Sequence, residues 1–182
     1  MNFYNNLLNN KPKLLIKIEN MTIKKYSIHP SSFVSEKASI GEGTQIWHFS
    51  HIREGAKIGK NVNIGQNVYI DKHVVIGDNC KIQNNVSVYK GVTIKNNVFV
   101  GPSVVFTNDI YPVSSEWSDE KIVETLIDDE VSIGANSTIV AGITIGKMTL
   151  VGAGSVVTKN VPNNCIAYGN PAKVKSEDYR KE

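Results

Sequence analysis

From Ile28 onward an aliphatic or aromatic residue returns at every sixth position, a period that neither an α-helix nor an ordinary amphipathic strand can produce. The series runs Ile28, Val34, Ile40, Ile46, Ile52, Ile58, Ile64, Ile70, Ile76, Ile82, Val88, Ile94, Val100 and Phe106. With about a quarter of an average chain being Val, Ile, Leu or Phe, such a run in phase has a chance probability on the order of 10⁻⁸. The phase is lost after Phe106 and resumes at Ile127, continuing through Ile133, Ile139, Ile145, Val151 and Val157.

Two residues before each repeat position the side chain is usually small or β-branched, as at Ala38, Thr44, Ser50, Ala56, Val62, Val68, Val74, Val86, Val92, Val98 and Val104. Two inward side chains two apart describe a short strand. Three residues after the repeat position Gly or Asn predominates: Gly43, Gly55, Asn61, Asn67, Asn79, Asn85, Gly91, Asn97, Asn136, Gly142, Gly154 and Asn160. These residue types accept positive φ, so each unit ends in a sharp corner. Six residues therefore make one strand and one corner, and the chain must wind into an all-β coil with a β-branched interior.

That pattern divides the chain into an N-terminal extension (1–25), a first β-helix section (26–106), an inserted loop (107–126), a second section (127–162) and a C-terminal tail (163–182). The 182 residues suffice for one cored domain, and a composition 41% hydrophobic and 20% charged demands nothing further. The net charge of +3 comes from scattered lysines without a basic block, which argues against nucleic-acid and membrane partners. Of twenty basic residues only Arg53 and Arg180 are arginines, so lysines and backbone amides must do most anion recognition. Cys80 and Cys165 make neither a metal spacing nor a disulfide framework, and Cys80 falls at an inward position, as a buried free thiol would. The apolar run Leu14-Leu15-Ile16 is cut by Lys13 and Lys17, too short for a signal-peptide core or a membrane span, and a cytoplasmic protein is expected.

Where the pattern breaks, chemistry is expected. His48 with Phe49, Gln66 with Asn67, and Asn84 with Asn85 form a set of unusual polar corners at 18-residue spacing. Trp47 and Phe49 expose aromatic surface beside it, as a ligand groove or a subunit interface does. The insertion carries Asn108, Asp109, Tyr111, Glu116 and Trp117, and a loop of this length on a rigid solenoid is usually functional.

The repeat resembles the hexapeptide-repeat family, whose left-handed parallel β-helix uses three units per triangular coil; on that pattern this chain makes between six and seven coils, and residues 18 apart stack, so that His48, Gln66 and Asn84 share a polar ridge. The family also implies a homotrimer with active sites at subunit contacts. Three blocks narrow the resemblance: Ile46-Trp47-His48-Phe49-Ser50-His51-Ile52, Ile82-Gln83-Asn84-Asn85-Val86-Ser87-Val88-Tyr89 and Gly101-Pro102-Ser103-Val104-Val105-Phe106-Thr107-Asn108-Asp109, with Gly169-Asn170-Pro171-Ala172 near the end. They resemble acetyltransferases that move an acetyl group from acetyl-CoA to the 3-amino group of a nucleotide-linked sugar for bacterial surface glycans.

What the resemblance implies for residues is as follows. Asn84 orients the substrate amine beside the thioester, and His48 is a second candidate for base or sugar contact, since histidine accepts a proton near neutral pH. Trp47, Phe49, His51, Arg53, Gln66, Tyr89, Asn108, Asp109 and Tyr111 are candidate substrate contacts. Ala135 and Ala153, small enough for the pantetheine arm to lie along the backbone, are candidate coenzyme contacts with Lys159, Asn170 and Lys173; no metal is expected. A dTDP-linked 3-amino-3,6-dideoxyhexose is favoured over a UDP-linked 3-amino uronate because no arginine lies in residues 107–126 to grip a carboxylate, although Arg53 remains. An O-acetyltransferase is the nearer alternative, and a γ-carbonic-anhydrase-like metalloenzyme, which needs three histidines across an interface, the more distant one.

Overall fold

The computed structural model describes residues 25–177. Each six-residue unit folds as a strand of two or three residues and a corner, from Ser27–Ile28 to Val156–Val157. The strands fall into three sheets, so the coil is a triangular prism: the left-handed parallel β-helix that the resemblance implies. We number its faces by the order in which the chain enters them. The first edge lies between the first and second faces, the second between the second and third, and the third returns to the first. Six coils are complete and a seventh is partial, since the third face holds six strands and the second seven.

Stacking is in register at the repeat position. On the first face Ile28 lies against Ile46, Ile46 against Ile64, Ile64 against Ile82, and the ladder continues through Val100, Ile133, Val151 and Ala167. Backbone bonds such as Gln45 N–H to Val62 O (2.8 Å) and Trp47 N–H to Ile64 O (2.9 Å) hold each coil to the next. Ile52, Ile64, Ile70, Ile82, Ile94, Ile127, Ile139 and Phe106 are fully buried, each stabilising by about 1.5–3 kcal/mol. Buried hydroxyls are satisfied within the stack: Thr44 Oγ1 donates to Gly59 O (2.8 Å) and accepts from Val62 N–H (3.0 Å).

Corners take the left-handed conformation at the positions read from the sequence, including Asn67, Asn85, Asn97 and Asn136 with φ of 57–61°. Phe49 (φ 57°), His73 (φ 59°) and Met148 (φ 58°) adopt it too, without being suited to it. Asn160 departs from the expectation: it is absent from the left-handed set, and its side-chain oxygen instead accepts the Thr144 N–H at 2.8 Å.

The insertion leaves the second edge after Val105–Phe106 and re-enters at Thr125–Ile127, pairing in register with Val92–Ile94. The break is thus two residues shorter at its C-terminal end than the hydrophobic phase alone indicates. Its base is clasped to the prism. Val123 N–H donates to Asn108 O (2.9 Å), Asn108 Nδ2 to Lys90 O (3.2 Å), and Ala141 N–H to Thr107 Oγ1 (2.9 Å). Ile122 packs over Gly91, where an added Cβ would lie 2.6 Å from its methyl carbon.

Within the C-terminal tail, Cys165–Gly169 extends the first face and Ala172–Glu177 pairs with it antiparallel. Nearly all of the N-terminal extension, including Leu14-Leu15-Ile16, lies outside the described residues. Among those described, no helix is long and apolar enough to cross a membrane.

Candidate active site

The ridge read from the sequence is the first edge. Trp47, His48, Gln66, Gln83 and Asn84, with Asn63 and Gly65, line an open groove of about 260 Å³. Asn84 Oδ1 accepts the Gln66 N–H at 2.9 Å, leaving its Nδ2 free to donate. Below it Asn67 Nδ2 donates to Asn85 Oδ1 at 3.0 Å, the bland corner-to-corner contact that asparagine makes in this fold. The His48 ring stacks on His29 with centroids 3.5 Å apart and 28° between planes. His29 Nδ1 accepts the Ser31 N–H (3.2 Å), and Ser31 Oγ accepts the Phe49 N–H (3.1 Å), so the imidazole pair is tied to the corner that carries Phe49. His29 was not singled out from sequence as a partner for His48, though its place 19 residues earlier, one coil away, is compatible with the contact.

Further along the same edge come Ala135 and Ala153, and then the turn of the C-terminal hairpin with Asn170, where Gly169 N–H donates to Ser155 Oγ (3.2 Å). The neighbouring glycines are small for packing reasons: a Cβ on Gly134 would lie 2.4 Å from Ala153 N. Their smallness is therefore accounted for without a coenzyme, while Ala153 is exposed and Ala135 half-buried. Lys173 is on the hairpin opposite Tyr168. Lys159 is on the second edge, apart from this row.

The remaining candidates lie across the second face. His51 and Tyr69 point outward from adjacent strands with rings 5.7 Å apart at 84°, Phe33 meets His51 at 5.0 Å, and Tyr69 meets Tyr89 at 5.6 Å. At the second edge a cleft of about 460 Å³ is lined by Arg53, Asp71, Lys72, Tyr89, Lys90, Asn108, Trp117, Asp119 and Ile122, with the insertion as its wall. Arg53 donates to Tyr69 Oη and to Asp71 Oδ1, both at 3.4 Å, and the Tyr69 hydroxyl donates to the same carboxylate oxygen at 3.1 Å. The Tyr69 hydrogen bond, more than the adjacent carboxylates, raises the Arg53 pKa above its ordinary value, so the guanidinium is a fixed charge. Lys90 Nζ pairs with Asp119 at 2.6 Å and Lys72 Nζ with Glu54 at 3.1 Å. Asp109 Oδ1 accepts the Tyr111 N–H (2.8 Å) and shapes the loop tip, where Tyr111 is exposed. Glu54, Lys72, Lys90 and Asn108 form a column at 18-residue spacing on the second edge equivalent to the ridge on the first, a signal in the sequence that would point to Lys72 and Lys90, whereas Asp119 lies in the insertion outside the period.

Among the described residues no group of three or more His, Cys, Asp or Glu could hold a metal ion; His29 and His48 meet ring to ring, not as converging ligands. Burial pushes the Cys80 thiol up to about 11, which makes it a packing residue.

The sequence matches the bacterial transferase hexapeptide (six repeats) family over residues 37–72 and 73–108, and the hexapeptide repeat of succinyl-transferase over 55–90 and 125–159. A solved maltose O-acetyltransferase from Clostridium difficile 630 is 30% identical with a TM-score of 0.59, over 69% of this chain and 71% of that one. The chain belongs to the hexapeptide-repeat transferase family. Another hexapeptide-repeat acetyltransferase, from Vibrio cholerae O1 biovar eltor and solved with acetyl coenzyme A, is 27% identical with a TM-score of 0.57, over 68% of this chain and 70% of that one. The dTDP-3-amino-3,6-dideoxy-alpha-D-galactopyranose 3-N-acetyltransferase of Aneurinibacillus thermoaerophilus is 54% identical over 56 residues, 31% of this chain and 29% of that protein. The chain spans under a third of the length of the curated relatives matched in this way.

Proposed function

We propose that this hexapeptide-repeat transferase moves the acetyl group of acetyl-CoA to the amine of a nucleotide-linked amino sugar, and that the acceptor is a dTDP-linked 3-amino-3,6-dideoxyhexose. The observation that carries the reading is the groove at Asn84, an outward amide donor beside an imidazole pair on the row of corners that leads to Ala135 and Ala153. The 54% identity to a transferase of that sugar class supports the choice of acceptor. A relative solved with acetyl coenzyme A supports the donor.

In this reading the neutral sugar amine attacks the thioester carbonyl, forming the C–N bond. The tetrahedral intermediate collapses with loss of coenzyme A thiolate, and the amine proton passes to that sulfur or to His48. Asn84 Nδ2 is the group available to donate to the substrate or the developing oxyanion, because its Oδ1 is committed to Gln66. Trp47 walls the groove, and Arg53, Tyr89 and Asn108 hold the far end of the acceptor.

The two clefts flank the second face, whose outward column Phe33, His51, Tyr69, Ser87, Val105, Thr138 and Val156 carries no lysine or carboxylate, whereas the first and third faces carry Lys81 and Lys57. A second copy of this chain is the occupant suited to that face. A closed trimer about it would bring the second-edge cleft of one copy to the Asn84 edge of its neighbour.

The similarity to a maltose O-acetyltransferase supports a second reading with a hydroxyl acceptor. Thiol release from acetyl-CoA, measured with dTDP- and UDP-linked 3-amino sugars and with maltose, separates the two. Release with a dTDP-linked amine is expected; release with the UDP-linked uronate alone would change the acceptor, and release with maltose alone would overturn N-transfer.

A further inference from the structure

The second-edge cleft is larger than the groove at Asn84 and falls within the ~300–1,000 Å³ usual for ligand pockets. We propose that it binds the nucleoside diphosphate end of the acceptor, with Lys72 and Lys90 on phosphate oxygens and the ring faces of Tyr89 and Trp117 against the base. This rests on the nucleotide-sugar reading above and assigns that end of the substrate to one edge of the prism.

Charge accounting within the cleft favours an anion. The Asp71 carboxylate is already consumed: Oδ1 takes Arg53, the Tyr69 hydroxyl and the Lys72 N–H (2.8 Å), and Oδ2 takes the Lys90 N–H (3.3 Å). The two ammonium groups each hold a single carboxylate at the rim, Lys90 with Asp119 (2.6 Å) and Lys72 with Glu54 (3.1 Å), which a phosphate would replace. Asp119 is 61% exposed and Lys90 only 27%. The carboxyl of Asp119 is held below its ordinary value first by the Lys90 hydrogen bond, and then by the charges of Lys90, Lys72 and His73. Several basic side chains thus act on the spot where Asp119 sits, and a phosphate is a stronger occupant of such a spot than an exposed carboxylate. Trp117 (71% exposed) and Tyr89 (38%) stand at the same cleft with ring surface unspent on the core.

Coenzyme A also carries a nucleoside diphosphate. The cleft's Tyr89 and Lys90 lie in the same coil as Asn84, whereas the row through Ala135 and Ala153 lies two and three coils further along the prism, which favours the acceptor for this cleft.

The test is calorimetric titration of the full chain with dTDP, UDP and adenosine 3′,5′-diphosphate, in wild type and in Lys72→Gln, Lys90→Gln and Asp119→Asn, with melting temperature as the control for folding. The sequence has two tryptophans, so a Trp47→Phe protein reports Trp117 fluorescence alone. Expected are quenching by dTDP or UDP, binding at least about tenfold weaker in each lysine variant, and tighter binding in Asp119→Asn. Nucleotide affinity within twofold of wild type in both folded lysine variants overturns the proposal, as does lysine-sensitive binding of adenosine 3′,5′-diphosphate in preference to dTDP and UDP. Acetyl transfer that persists alongside either result would leave the reading of the Asn84 edge standing; lysine-sensitive dTDP binding without any acetyl transfer would sink that reading and keep the cleft.

Discussion

Asn84 Oδ1 accepts the backbone N–H of Gln66 at 2.9 Å, so one side chain joins two coils and presents its amide donor outward. The same contact recurs at the third edge, where Asp78 accepts from Lys60 N–H (2.7 Å) and Asn96 from Asp78 N–H (2.8 Å), as part of the scaffold. Aspartate does that work at the third edge, and a carboxylate has no donor. Asn84→Asp is therefore expected to keep the melting temperature within a few degrees while lowering kcat by about 10²–10³. Asn84→Ala loses the coil contact as well, at about 1 kcal/mol. Steady-state kinetics beside thermal melts check both; full turnover in the aspartate variant would remove Asn84 from the reaction.

Phe49 holds φ 57° with its ring 62% exposed, a conformation that costs an ordinary residue about 1–2 kcal/mol. Phe49→Asn, matching Asn67 and Asn85 one and two coils on, is expected to raise the stability of the isolated chain by about 1 kcal/mol and to impair acceptor binding or subunit contact. Denaturant melts and KM measure the two effects; a gain in stability with unchanged KM and unchanged assembly would leave the aromatic ring without a role.

The Lys90–Asp119 pair links the insertion to the prism. Because the folded-state pKa of Asp119 lies below its ordinary value, the pair is complete above the usual carboxylate range and is lost as pH falls through the lowered one. Proteolysis within residues 107–124 should accelerate as pH falls below about 4. Asp119→Asn should show the faster cleavage at neutral pH. An acid-active protease reads the first and trypsin at Lys121 the second; equal rates in the variant and wild type would mean the backbone clasp at Asn108 and Thr107 suffices.

The uncharged second face predicts a trimer in light scattering. Introducing carboxylates at its centre, as in Ser87→Glu with Val105→Glu, should give monomers that retain β-sheet circular dichroism and lose acetyl transfer. Monomeric wild type with full activity would place the whole site within one chain.

Much of this was legible in the sequence, because the hexad repeat, taken with the three-unit coil that the family resemblance implies, couples sequence to space by a fixed rule: Ile46, Ile64 and Ile82 stack, and His48, Gln66 and Asn84 share an edge. What sequence left open follows from where that rule stops. Asn160 carries a corner residue type at a position where its side chain, and not its φ, does the work. The hairpin of Cys165–Glu177 lacks the six-residue period, since an antiparallel return needs only alternation, and so it read as tail. The Lys90–Asp119 contact joins a periodic residue to one outside the period, and no spacing argument reaches across that boundary. His29 against His48 is a matter of ring orientation, which a residue series does not encode.

Across the insertion, coil-to-coil contacts span 33 positions in place of 18, yet the ladders on all three faces continue without a slip. The prism therefore treats its inserted segment as cargo. On the proposed reading, a lineage can lengthen, shorten or exchange that one stretch while the hydrogen-bonded scaffold, and with it the Asn84 edge, is inherited unchanged, which would let acceptor preference and acyl chemistry evolve at separate rates.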